Sequence, residues 1–133
     1  MVVETKIQMR FADVDMLGHV NNVNQQHYFD VGKSDFFREV LGLGPYWCEE
    51  GLITVATNTS FLRQIRMDEA VIVRTRIREI GNKSFTVDQQ IINPDNQEIK
   101  TDSSATLVCF NFAAQHSIPI PGRWREALEA SRE

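Results

Sequence analysis

One stretch of this chain repeats its apolar residues at helical spacing, and almost everything after it repeats them at every second position. From Asn22 to about Leu43, the residues Phe29, Gly32, Phe36, Val40 and Leu43 fall on one stripe, widened by Tyr28, Phe37 and Leu41. That period marks an amphipathic helix. Gly42 and Gly44 with Pro45 supply its stop. Gly32 inside the helix costs about 1 kcal/mol relative to alanine, so its place on the stripe predicts a close approach to a sheet. From Gly51 the period is two. Ile53, Val55, Thr57, Thr59 and Phe61 alternate with Thr54, Ala56, Asn58, Ser60 and Leu62, and Val71, Val73, Thr75 and Ile77 alternate with Arg74, Arg76 and Arg78. Gly81-Asn82 turns into a fourth strand from Lys83 to Ile92, and Pro94-Asp95-Asn96-Gln97 turns into a long fifth, about Glu98 to Phe112. Residues 5–11 also alternate, with Thr5, Ile7, Met9 and Phe11 on one side, and predict the first strand. After an extended Pro119-Ile120-Pro121, a short helix is expected from Trp124 to Ala130. A long helix among strands joined by short turns implies an antiparallel sheet and an α+β domain. One helix cannot cover such a sheet, so a homodimer or homotetramer that shields its edges is expected.

The 133 residues make one domain, 1–133, without repeats or linkers. A net charge of −4 argues against nucleic acid as a partner, because binding it takes a basic face. No apolar run approaches the roughly 18 residues of a membrane span. The first residues, Met1-Val2-Val3-Glu4, lack the basic and apolar regions of a secretory signal, so a cytoplasmic protein is expected. Cys48 and Cys109 lie far apart and read as reduced, buried thiols. Scattered histidines without ligand spacing predict no metal, and the lack of a P-loop or dinucleotide fingerprint goes with an expectation of no cofactor.

Chemistry concentrates in Asp13-Val14-Asp15-Met16-Leu17-Gly18-His19-Val20-Asn21-Asn22, where the first strand gives way to the helix. Asparagine caps a helix by accepting from an orphan backbone N–H. The remaining amides of the first turn carry partial positive charge and suit an oxyanion. A carboxylate just upstream then faces a ready-made oxyanion site, a pairing that suits acyl-group chemistry. Asp13 is read as a turn-forming residue. Asp15 is either another turn residue or a catalytic carboxylate, and spacing alone favours the turn. His19 is balanced between a proton-transfer role and a loop hydrogen bond. His27 and His116 have no visible partner and read as structural. Cys109 sits in an apolar run and reads as core. Arg74 and Arg76 read as a solvated row, and Arg63 and Lys100 carry no assignment.

The residues Arg10-Phe11-x-Asp13-x-Asp15-x-x-Gly18-His19-Val20-Asn21-Asn22, followed by Tyr28-Phe29-Asp30 and Asp35-Phe36-Phe37, resemble the hotdog-fold acyl-CoA thioesterases of the 4-hydroxybenzoyl-CoA thioesterase-like group. The His-Val-Asn-Asn element also resembles acyl-ACP thioesterases. The resemblance implies a long central helix wrapped by a five- or six-stranded antiparallel sheet, with active sites at a subunit interface. It implies hydrolysis of an acyl-CoA or acyl-ACP thioester, without a cofactor. It assigns Asp15 as nucleophile or general base, the Asn22 backbone N–H as oxyanion donor and His19 as an assisting group. It also places Lys83 and Ser84, with Arg78 as a second cation, near the coenzyme A phosphates. The sequence departs from the group at Leu17, Gln25 and Lys33, where acyl-ACP thioesterases or other members carry asparagine, tyrosine and arginine. Two alternatives stay open. One is a non-catalytic module binding an acyl or aromatic ligand, the other a hotdog hydratase or dehydratase.

Overall fold

The computed structural model describes residues 1–44 and 47–132; the expected stop at Pro45 lies outside them. The elements run β1 (Val3–Lys6), α1 (Asn22–Leu41), β2 (Glu50–Phe61), β3 (Ile72–Ile80), β4 (Ser84–Asn93), β5 (Glu98–Asn111), β6 (His116–Ser117) and α2 (Gly122–Ser131). The strands form one antiparallel sheet in the order β1-β3-β4-β5-β2, and β6 pairs with the far end of β5. This is the α+β arrangement that the change of period requires. No helix among the described residues is long and apolar enough to cross a membrane.

The helix lies across one face of the sheet because its stripe is apolar and one of its residues has no side chain. Phe29 and Phe36 are fully buried. A Cβ added at Gly32 would stand 2.5 Å from Val73 Cγ1 and 3.0 Å from Gln89 Nε2, which is the close approach its position predicts. The helix stops at Leu41 where Gly42 turns left-handed (φ 69°). There the Gly42 and Leu43 N–H groups donate back to the Arg38 and Phe37 carbonyls. The core has two parts. Phe36, Phe85, Leu107, Trp124 and Leu128 pack at the α2 end. Val20, Tyr28, Phe29, Ile65, Val73 and Ile91 pack under the start of α1.

Three local expectations are corrected. The first strand ends at Lys6 rather than running to Phe11. Asp13 winds residues 11–13 into a 3-10 turn by accepting from the Arg10 N–H (3.0 Å) and donating its own N–H to the Arg10 carbonyl (3.0 Å). Phe11 is thereby turned out, 81% exposed. The second strand carries a bulge at Val55, where pairing slips between Thr54↔Leu107 and Ala56↔Thr106, and residues 54–58 are exposed on both faces, so the expected alternation has no buried side there. Cys109 is buried as expected, but Cys48 is exposed, because it lies in the irregular segment before β2 instead of on a core-facing element.

Candidate active site

The motif folds into a short hairpin-like loop that ends on the helix. Val14 and Val20 pair antiparallel, the Asp15 N–H donates to the His19 carbonyl (3.0 Å), and the Gly18 N–H donates to the Asp15 carbonyl (3.0 Å). Gly18 sits at φ 81°, a left-handed turn that glycine adopts without the penalty of a Cβ. Asp15 Oδ1 accepts from the Leu17 N–H at 2.9 Å. Its second oxygen has no hydrogen-bond partner, and its carboxylate has no ion pair, among the described residues.

Asp13 performs the structural task. Buried to 1% exposure, its carboxylate accepts from the Arg10 N–H, the Arg10 guanidinium and the Tyr28 hydroxyl (2.8 Å). Its carbonyl accepts from the Asn21 N–H (2.9 Å). Burial pushes the Asp13 carboxyl up, but the hydrogen bonds from Arg10 and Tyr28 outweigh it and hold it below the usual carboxylate range. Burial, and next the same contact with Asp13, raises the Tyr28 phenol. One buried anion thus ties together the loop, the cap and the second turn of α1.

At the helix start, Asn21 caps by accepting from the Val23 N–H (2.8 Å). The Asn22 N–H is left without a partner among the described residues. Asp15, His19 and Asn22 line one crevice of about 500 Å³ together with Gln25 and the segment Phe61–Gln64. The three motif residues are therefore brought together: Asp15, His19 and Asn22 line one opening. Among the described residues no three His, Cys, Asp or Glu side chains converge as a metal site needs.

Lys83, Ser84 and Arg78 lie elsewhere. Ser84 is opposite Val108 on β5, whereas Phe61 at the crevice is opposite Thr101. Seven residues of strand separate those positions, about 23 Å. Arg78 pairs with Asp88 at 3.6 Å. Arg74 meets Glu4 at 2.8 Å, in keeping with a solvated row. A more apolar cleft of about 390 Å³, lined by Phe37, Leu43, Trp47, Leu52 and Phe112, occupies the opposite end of α1. Cys109 is core, its thiol pushed up to about 11 by burial, so it is no ready nucleophile. Sequence reasoning missed Gln25 and residues 61–64 as lining residues, and the segment on to Arg66 that carries them. Phe61 and Leu62 end the alternation of the second strand; beyond them the segment follows no period, and its only sequence signal is Ile65 set among charged and polar residues.

The fold recurs among known proteins. The thioesterase-like superfamily profile matches residues 9–128. The long-chain acyl-CoA thioesterase FadM of Escherichia coli (strain K12) is 21% identical over 129 residues, which are 95% of this chain and 96% of FadM. A predicted thioesterase from Bacillus stearothermophilus superposes with a TM-score of 0.89 at 25% identity, covering 100% of this chain and 98% of its own. A thioesterase from Thermus thermophilus, solved with coenzyme A and Zn, superposes with a TM-score of 0.84 at 23% identity, covering 97% of this chain and 92% of its own. With its six-stranded antiparallel sheet laid against one long helix, the chain belongs to the thioesterase-like superfamily and is a thioester hydrolase of the hotdog fold.

Proposed function

We propose that the protein hydrolyses acyl-CoA thioesters to the free acid and coenzyme A, with Asp15 and the Asn22 N–H as its two working groups. The observation that carries this reading is a carboxylate with one oxygen unengaged, in the same crevice as a helix-start amide that has no partner among the described residues. Asp15 takes a proton from a water whose oxygen adds to the thioester carbon. The carbonyl oxygen, now an oxyanion, is held by the Asn22 N–H, reinforced by the dipole of α1. Collapse breaks the C–S bond, and the proton that Asp15 took from the water is relayed through His19 to the departing thiolate, which returns Asp15 to its carboxylate form. A thiolate leaves readily, so one base and one donor suffice. The coenzyme A carrier is favoured by FadM, an acyl-CoA thioesterase, and by the Thermus relative solved with coenzyme A.

A second copy of the chain completes this reading. β2 is the last strand of the sheet, and Val55 (56%) and Phe61 (43%) on it are exposed. Two β2 strands paired antiparallel would set the Glu50 end of one copy beside the Phe61 end of the other. The neighbour's Lys83 and Ser84, opposite Val108 and hence near Ile53, would then stand on the crevice side, where their own chain cannot bring them. Lys83 would meet the phosphates of the carrier there, with Arg78 as a second cation. The soluble, cytoplasmic placement expected from the sequence goes with this substrate class. A panel of acetyl-, octanoyl-, palmitoyl- and benzoyl-CoA, followed by thiol release, tests the activity. Saturable binding without thiol release across the panel would instead make the chain a ligand-binding module.

A further inference from the structure

Lys100 lies on β5 with 4% of its surface exposed. Its ammonium is 2.7 Å from Glu69 Oε1 and also pairs with the Glu98 carboxylate. Glu98 in turn faces Arg63 at 3.7 Å, so two cations meet two acids. Taking a lysine out of water costs several kcal/mol before its partners offset it, and an unbranched apolar side chain would fill the space at lower cost. The reason for a charge there is found in what its partners hold.

The main chain of the same residue grips the other end of one segment. The Lys100 carbonyl accepts from the Leu62 and Arg63 N–H groups, both at 2.9 Å. Its side chain reaches Glu69, whose Oε2 accepts from the Arg66 N–H (2.7 Å) and whose Oε1 accepts from Asn93 Nδ2 (3.2 Å). A single residue therefore fastens residues 62–69 at both ends. The middle of that segment is the rail on which the motif loop lies. The Ile65 carbonyl accepts from the Val20 N–H at 2.8 Å, and Arg66 bridges antiparallel to His19. Ile65 is fully buried and fixes the depth of the segment. Apolar contact is non-directional, so it does not fix the register along the rail. The polar ties at both ends do.

We propose that Lys100 is a positioning residue: by holding both ends of residues 62–69 it sets the register of His19 and Val20, and through them the spacing between Asp15 and the Asn22 amide. The link to Asp15 is its own N–H bond to the His19 carbonyl. Burial works against both charges. Even so, Glu69 and Glu98 hold the ammonium above its usual range, and the Arg66 N–H and Lys100 hold the Glu69 carboxyl below its own. The tie is therefore fully formed at neutral pH. Its catalytic consequence rests on the thioesterase reading; its structural consequence does not.

The test is the double variant Lys100→Met with Glu69→Leu, in which no buried charge of the Lys100–Glu69 pair is stranded. Exchange of a buried pair for apolar groups is commonly neutral for stability, so Tm should stay within a few degrees of wild type. Two quantities are read: kcat and KM with the acyl-CoA that wild type turns over fastest, and hydrogen exchange at the Val20 amide. The expected result is a kcat lowered about tenfold with KM within about twofold, a factor set by misplacement at the reacting groups, and Val20 exchange about tenfold faster. Wild-type kcat with wild-type Val20 protection overturns the proposal, and so does a lowered kcat with Val20 unchanged. Glu69→Gln, which keeps an acceptor for the Arg66 N–H and gives up the contacts of the other oxygen to Lys100 and Asn93, reads the same two quantities if the double variant does not fold. It should move both in the same direction by about threefold, and no movement overturns the proposal equally. If wild type releases no thiol from any acyl-CoA, the thioesterase reading fails by itself and Val20 exchange alone decides the role of Lys100.

Discussion

Asp13 and Asp15 are two residues apart and have opposite fates. Asp13 is saturated with donors, so its carboxylate stabilises the fold; Asp15 keeps an oxygen free beside an open crevice. Asp13→Asn should cost about 2–3 kcal/mol, the scale of hydrogen bonds to a charged group in a buried setting. The pH dependence follows from the direction of its shift. Because its folded pKa lies below the unfolded value of about 3.9, its contribution is complete above that value. It is lost as the pH falls from there through the folded pKa. Thermal denaturation between about pH 5 and pH 2 should show wild type losing Tm in the lower part of that range, and the asparagine variant losing less. A different expectation attaches to Asn22, whose main chain rather than side chain faces the substrate in this account. Asn22→Ala should change kcat by less than about threefold, since the amide and the helix behind it persist; steady-state kinetics check it.

At the scale of elements, α1 is the part that both the packing and the site depend on. Its apolar stripe and its glycine stop were legible because period and punctuation are local properties. The packing reason for Gly32 was legible too, since a glycine on a buried stripe makes sense only if something approaches closely. Gly32→Ala should therefore destabilise by about 1–3 kcal/mol, the overpacking against Val73 outweighing the roughly 1 kcal/mol gained in helix propensity. Urea denaturation gives the difference directly. The first strand was overextended because Ile7, Met9 and Phe11 keep the alternation, while Asp13 captures the chain from residues further on. The bulge at Val55 was illegible for a related reason: a strand that carries one residue more than its partner leaves its own sequence unmarked. The wall from Phe61 to Arg66 was illegible because its pairing with His19 and Val20 is non-local. Lys100 carries no signal at all in sequence, since a buried lysine and a surface lysine are the same letter.

For the whole molecule, the chain presents half of the proposed site and an unpaired strand edge. Sequence placed Asp15, His19 and Asn22 near one another, as neighbours in one loop must be. It did not place Lys83 and Ser84 within reach of them, and within one chain they lie at the far end of the sheet. Activity should therefore depend on association through β2. Val55, close to the middle of β2, would approach its own symmetry mate across a two-fold contact, and Val55→Lys would set like charges against each other there. Light scattering should give wild type a mass at least twice the 15.3 kDa of the chain. The variant should shift toward a single chain and lose thiol release with it, while keeping its far-ultraviolet dichroism.

The role of Asp15 is decided by thiol release from the best acyl-CoA by wild type and by Asp15→Asn, at saturating substrate and neutral pH. Removing a general base costs about 10²–10⁴ in rate. The asparagine variant should fold with an unchanged Tm and an unchanged KM, and its kcat should fall by at least about a hundredfold. Equal turnover by the two proteins would contradict the account.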